Sequence, residues 1–187
     1  MGKLTFILGG ARSGKSTFAQ QLATEGGGQV VFIATAQAGD PEMAARISAH
    51  QAARPAEWFT LECPTGLADN WKASGIASDL VVIDCLTFLV TNLLLQAAPD
   101  VDQPDESLAT TLVTGEIDTL QKTIRESSCD WIVVSNEVGL GLVPPYPLGR
   151  LFRDLLGWAN QRLASQAEQV FYLVAGIPMP IQQFRQP

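Results

Sequence analysis

Five short runs in this chain are apolar at nearly every position: KLTFIL, QVVFIAT, DLVVID, DWIVVS and QVFYLVA. A strand with one wet face alternates apolar and polar residues, so runs without alternation require cover on both faces. Turn or charged residues bound each run. Between them lie helical patterns near 15–25, 41–53, 86–97, 106–127 and 147–167. The last carries Leu148, Leu151, Phe152, Leu155, Leu156 and Ala159, the spacing of a helix with one buried stripe. Strands alternating with helices in this way specify an α/β chain with a mostly parallel sheet flanked by helices. EWFTLEC is expected to be an edge or connecting strand, and APDVDQPDES, with two prolines and four acids, a surface linker. Neither an internal repeat nor a domain boundary interrupts the pattern, so residues 1–187 are expected to form a single domain. A chain of that size buries about 70% of its unfolded surface without staples.

Composition narrows the function classes. With 47% apolar and 17% charged residues the chain is neither disordered nor fibrous. A net charge of −7 argues against nucleic-acid binding, which needs a basic surface, so any phosphate chemistry has to be local. Cys63, Cys85 and Cys129 are odd in number and form no C-x-x-C pair, which predicts buried, reduced thiols. The apolar run in MGKLTFILGG is too short for a signal-peptide core, and Phe6 stands where a myristoylation pattern requires Ser or Thr. LVVIDCLTFLVTNLLL is broken by Asp84, Thr87, Thr91 and Asn92 and is too short to span a bilayer. A cytoplasmic protein with no membrane span is expected.

Directly after the first strand, GGARSGKST fits G-x-x-x-x-G-K-[ST] from Gly9 through Gly14, Lys15 and Ser16. Glycines let backbone N–H groups turn around phosphate oxygens, and the following helix N-terminus adds partial positive charge. Lys15 is expected to reach the β and γ phosphates, and Ser16 or Thr17 to hold Mg²⁺. Such a loop needs a metal-orienting carboxylate at the end of a neighbouring buried strand. Asp84 in LVVIDC is the candidate; the competing reading has it capping the helix that begins near Cys85. Glu137, in VVSNEVG, is a second candidate support, also at the carboxyl end of a strand.

The single histidine lies in GDPEMAARISAHQAARP. Asp40 is a candidate cap, Pro41 fits the first helical position and Pro55 stops the run. Glu42, Arg46, His50 and Arg54, spaced by four, share one stripe, with Met43 and Ile47 on another. His50 is therefore expected on the polar side. Two readings stay open at this stage. In one, the stripe is a solvated face laced by a Glu42–Arg46 pair. In the other, the arginines clamp phosphate oxygens around a reactive imidazole.

Taken in order, GGARSGKS, FIATA, DPEMAARISAHQAARPAEWFTLECP, VVIDCLTFLVTNLL, SNEVGLGLVP and RLFRDLLGWANQRLASQAEQVFYLVAGIP resemble the adenosylcobinamide kinase / adenosylcobinamide-phosphate guanylyltransferase family of cobalamin biosynthesis. The resemblance spans nearly the whole chain. It implies a RecA-like P-loop NTPase fold, a homotrimer and two reactions. One phosphorylates adenosylcobinamide with ATP or GTP; the other transfers GMP from GTP to adenosylcobinamide phosphate, giving adenosylcobinamide-GDP. It also implies that His50 carries GMP covalently. Nucleotide contacts carry over to Gly9, Gly10, Ala11, Arg12, Ser13, Gly14, Lys15 and Ser16, to Ala34, Thr35 and Ala36, to Gln51, Ala52, Ala53 and Arg54, and to Glu62 and Asp84. Ser135 departs from the family's pattern, standing where Thr is expected before NEVG. No short motif marks a corrinoid site; GLGLVPPYPLGR is a candidate for substrate contact or subunit packing, and equally an ordinary loop. Two other functions fit the residues alone: a P-loop kinase for another small alcohol in which His50 merely binds phosphate, and a nucleotide-gated assembly ATPase.

Overall fold

The computed structural model describes residues 2–39, 41–52 and 54–184, without the side chains of Glu42 and Arg46. The candidate cap Asp40, the site candidate Ala53 and the side chains of the Glu42–Arg46 pair lie outside the described residues.

The apolar runs form β1 (Leu4–Gly9), β2 (Val30–Ala34), β4 (Leu80–Asp84), β5 (Asp130–Asn136) and β6 (Gln169–Val174). EWFTLEC supplies β3 (Phe59–Glu62), the edge strand beside β2. The seven-stranded sheet has the order β3-β2-β4-β5-β1-β6-β7, parallel throughout except for β7 (Ile177–Pro180), which returns antiparallel along β6. β7 and the eight-residue helix α3 (Leu67–Ser74) were not anticipated from the sequence. The remaining helices fall where the spacing predicts: α1 (Lys15–Gly26), α2 (Pro41–Ala52), α4 (Leu86–Gln96), α5 (Glu106–Glu126) and α6 (Pro147–Gln166).

Alternate residues of each central strand serve opposite layers, which is why these runs lack polar positions. Leu4, Phe6, Val81, Ile83, Trp131 and Val133 pack with α3 to α6. Ile7, Leu80, Val82, Ile132 and Val134 pack on the other face with Ala19 and Ala23 of α1. Each such aliphatic or aromatic side chain, fully removed from water, contributes about 1.5–3 kcal/mol. The α6 stripe behaves as its spacing requires, with Leu155, Leu156 and Ala159 buried. Helix α2 differs: among its described side chains none is fully buried, so little apolar burial ties it to the sheet.

Two features of this topology set the site. β5 lies between β1 and β4, so the loop after β1 and the carboxyl end of β4 face each other across one intervening strand. This is the strand arrangement of a RecA-like P-loop domain. The β6–β7 turn then reaches the loop from the other side: the Gly176 N–H donates to the Ser13 carbonyl at 2.9 Å.

Candidate active site

β1 ends at Gly9 and α1 begins at Lys15, so Gly10–Gly14 form a loop at the carboxyl edge of the sheet. Gly9 is obligatory for space: a Cβ there would lie 2.7 Å from the Leu173 carbonyl oxygen and 2.8 Å from Ser13 Oγ. Gly14 has φ 95°, a left-handed conformation that admits a side chain only with strain. Arg12 is left-handed as well, at φ 57°, and exposed. Lys15 is buried, and its Nζ donates to the Gly10 carbonyl at 2.6 Å. Burial draws the ammonium below its ordinary value against the pull of Cys85 and Asp84. Ser13 Oγ is buried and has no protein partner. A cation with little solvent, free helix-terminal N–H groups and an unpaired hydroxyl together make an anion cradle.

Asp84 closes β4 and faces this cradle. Ser16 and the positive groups of His50, Arg54 and Lys15 lie near enough to draw its carboxyl down. Burial nonetheless outweighs these and raises the carboxyl above the usual aspartate range. The N-cap of α4 is Cys85, which makes no side-chain capping bond. The Asp84–Cys85 peptide is cis. Burial and the neighbouring Asp84 push the Cys85 thiol up to about 11, which keeps it protonated and unreactive near neutral pH. The oxygens of Asp84 and Ser16 suit Mg²⁺, a hard cation commonly held by one or two protein groups plus phosphates and water. Among the described residues no cluster of three or more His, Cys, Asp and Glu offers a complete protein cage.

The third part is the end of α2 and the chain beyond it. His50 is exposed in the last turn of α2, on the polar side as its spacing predicts. Arg54 is anchored: its guanidinium carbon lies 3.7 Å from the centroid of the Phe32 ring, and its Nη1 donates to Thr60 Oγ1 at 3.3 Å. Phe32 in turn stacks on Trp58, with centroids 6.4 Å apart. Burial lowers the Arg54 guanidinium despite Asp84 and Glu62, and its Nε is buried without a protein partner. Gln51 donates from Nε2 to Glu62 Oε1 at 3.1 Å. Ala52 is exposed beside them, Ala34 is buried at the end of β2 and Ala36 is half-buried two residues on. The structure thus brings Lys15, Ser16, His50, Arg54 and Asp84 together, from three separate segments.

Glu137 stands apart. Its N–H donates to the Gly9 carbonyl at 3.0 Å, which ties β5 to the loop. Its carboxylate accepts from the Gly139 N–H and lines a cleft of about 320 Å³ with Leu8, Arg153, Asn160 and Gln161, on the α6 side of the sheet. Sequence reasoning missed two contributors at the carboxyl edge. Asn92 bonds the backbone at Thr35 and Pro64, and Gly176 braces Ser13. Gly176 was signalled by a glycine between the apolar runs FYLVA and IPMP; Asn92 carried no local signal.

The family model described as cobinamide kinase / cobinamide phosphate guanyltransferase matches residues 5–181. The bifunctional adenosylcobalamin biosynthesis protein CobP of Pseudomonas aeruginosa is 46% identical over 175 residues, covering 94% of this chain and 95% of that protein. The bifunctional adenosylcobalamin biosynthesis protein CobU of Salmonella typhimurium is 41% identical over 180 residues, covering 95% of this chain and 99% of that one. Its namesake in Escherichia coli is 39% identical over 181 residues, covering 95% and 99% respectively. Among solved structures, the RadB recombinase superposes with a TM-score of 0.49 at 15% identity, over 91% of this chain and 73% of the other.

Proposed function

The chain belongs to the cobinamide kinase / cobinamide phosphate guanyltransferase family, and from that premise we propose how its residues divide the work of two reactions. It is a bifunctional transferase of adenosylcobalamin biosynthesis, with ATP and GTP as nucleotide substrates and adenosylcobinamide and its phosphate as acceptors. The convergence of Lys15, Ser16, His50 and Arg54 on Asp84 is the observation that carries the division.

In the kinase reaction the backbone from Gly9 to Ser16 cradles the triphosphate and Lys15 takes charge from the β and γ phosphates. Ser16 and Asp84 would hold Mg²⁺, which when bound neutralises phosphate charge as it develops. The cobinamide hydroxyl attacks the γ-phosphorus and the nucleoside diphosphate leaves. In the second reaction the imidazole of His50 attacks the α-phosphorus of GTP, forming an N–P bond as the bond to pyrophosphate breaks. A phosphate oxygen of adenosylcobinamide phosphate then displaces the imidazole, giving adenosylcobinamide-GDP. Two steps let each bulky anion be positioned separately against the same phosphorus. Arg54, held over the Phe32 ring, is suited to bind phosphate oxygens through donors its neighbours leave free, and the exposure of His50 leaves room for a nucleotide. Arg46 is proposed as a second phosphate clamp from its position four residues before the histidine. Glu137 is proposed as support for the loop rather than as a reacting group, because its link to Gly9 is through the backbone.

Incubation with [α-³²P]GTP tests the reading. Label should be retained on the protein, vanish in acid, survive alkali and be absent from His50→Ala, while cobinamide phosphorylation persists at least partly. Label retained by His50→Ala removes the nucleophile; equal loss of both reactions in a folded variant makes His50 a shared phosphate-binding group.

We also propose that residues 1–187 form a single domain housing both reactions, in a cytoplasmic homotrimer. Leu140 and Leu142, 84% and 96% exposed in the loop before α6, support subunit packing there. Three buried unpaired thiols suit a reducing compartment. Among the described residues no helix is long and apolar enough to cross a membrane. A concentration-independent monomer by light scattering refutes the trimer.

A further inference from the structure

Thr35 follows β2 and is wholly buried, in the segment where the family resemblance implies a nucleotide contact. Its hydrogen-bonding groups all turn inward. The hydroxyl donates to the Cys85 carbonyl at 2.7 Å and accepts from the Cys85 N–H at 2.8 Å. The Thr35 N–H donates to the Asp84 carbonyl at 3.4 Å. Its own carbonyl accepts from Asn92 Nδ2 at 2.9 Å, and the same amide donates to the Pro64 carbonyl at 3.0 Å. One side chain therefore satisfies both backbone groups of the residue next to Asp84. Asn92, from α4, locks that side chain's backbone to the segment after β3. Parallel strands end at this edge without further ladder bonds, so the direction in which Asp84 leaves β4 has to be fixed by side chains of this kind.

We propose that Thr35 is a positioning residue rather than a nucleotide contact: its hydroxyl holds the Cys85 backbone so that Asp84 presents its carboxylate to Ser16 and the phosphate loop, and Asn92 holds Thr35. The proposal rests on the reading that Asp84 serves the nucleotide reactions. A displacement of about 1 Å in a reacting constellation is worth up to ~100-fold in rate, so the hydroxyl is expected to matter to turnover more than to binding.

The test compares Thr35→Val, which keeps shape and removes both hydroxyl bonds, with Thr35→Ser, which keeps the hydroxyl. Kinase turnover in Thr35→Val should fall by about tenfold or more. Affinity for a fluorescent GTP analogue in EDTA should stay within about twofold, since no ligand contact is lost. Thr35→Ser should restore most of the rate. In an Asp84→Asn background Thr35→Val should add little further loss, because residues acting through one another are not additive. Weakened metal-free nucleotide binding in Thr35→Val makes Thr35 a direct contact and overturns the proposal, as does full additivity with Asp84→Asn or failure of serine to rescue. Asn92→Ala, read in the same way, is the second variant should valine impair folding, and unchanged turnover there overturns the role given to the Asn92 amide. Asp84→Asn alone tests the underlying reading: if its turnover is intact, that reading fails, whereas an impaired Asp84→Asn beside an unimpaired Thr35→Val refutes the positioning role only.

Discussion

Replacing Asp84 by Asn should separate activity from stability in opposite directions. Burial raises the Asp84 carboxyl above its unfolded value even with Ser16, His50, Arg54 and Lys15 drawing it down, so in the free enzyme the ionised form is a net cost to folding. The sign follows from proton binding. Between the unfolded value and the raised folded value the native state holds more protons, so stability falls as pH rises through that window. Above it the cost is present in full. Asparagine resembles the neutral acid in shape and escapes the cost. The variant should therefore melt no lower than the parent at pH 7, and its relative melting temperature should climb as pH is raised from 4. For a chain of this size 1 kcal/mol corresponds to about 2–4 °C, which calorimetry across pH resolves easily. Activity should move the other way, with Mg²⁺-dependent turnover falling by about 100-fold or more as the carboxylate proposed to support the metal is lost. A melting temperature lowered by more than about 4 °C, with turnover per folded molecule intact, would show that Asp84 is a structural anchor and refute the argument.

Two further substitutions probe the walls of the site. Arg54→Lys keeps the charge but loses the guanidinium over the Phe32 ring and the bond to Thr60; a contact of this kind is worth about 0.5–2 kcal/mol, so the KM for GTP should rise by roughly 2–30-fold, and an unchanged KM would remove Arg54 from the nucleotide. Gly9→Ala sets a methyl group 2.7 Å from the Leu173 carbonyl oxygen, fixed in β6, so a loss of about 1–3 kcal/mol and a lower melting temperature are expected; an unchanged one would mean that β6 yields without cost.

Much of this architecture was readable because its signals are contiguous. β2 and β4 are buried at almost every position and announce themselves without reference to partners. The phosphate loop is equally local, with spacing, glycines and strand-to-helix context in nine consecutive letters, GGARSGKST. α3 was missed because its eight residues bury only Leu67 and Ala68, and its start is held from a distance, by Glu116 of α5 accepting from the Gly66 and Leu67 N–H groups. β7 was missed because Pro178 and Pro180 argue against a strand; both are tolerated on the outer edge of the sheet. The gathering of His50 and Arg54 near Asp84 has no local signature either, since strand order creates it. Thr35 was picked out by resemblance, but its inward hydroxyl depends on Cys85, fifty residues away.

The brace between the β6–β7 turn and the phosphate loop has a consequence for how the enzyme is made. β1 is synthesised well before its sheet neighbours β5 and β6, and Ser13 waits for Gly176 to satisfy its carbonyl. At about 5–20 residues per second, the loop leaves the ribosome of order ten seconds before its last supporting strand. For that interval a nascent chain displays its phosphate-loop motif without the rigid frame that would let it grip a triphosphate, and affinity for nucleotide is expected only with the completed sheet.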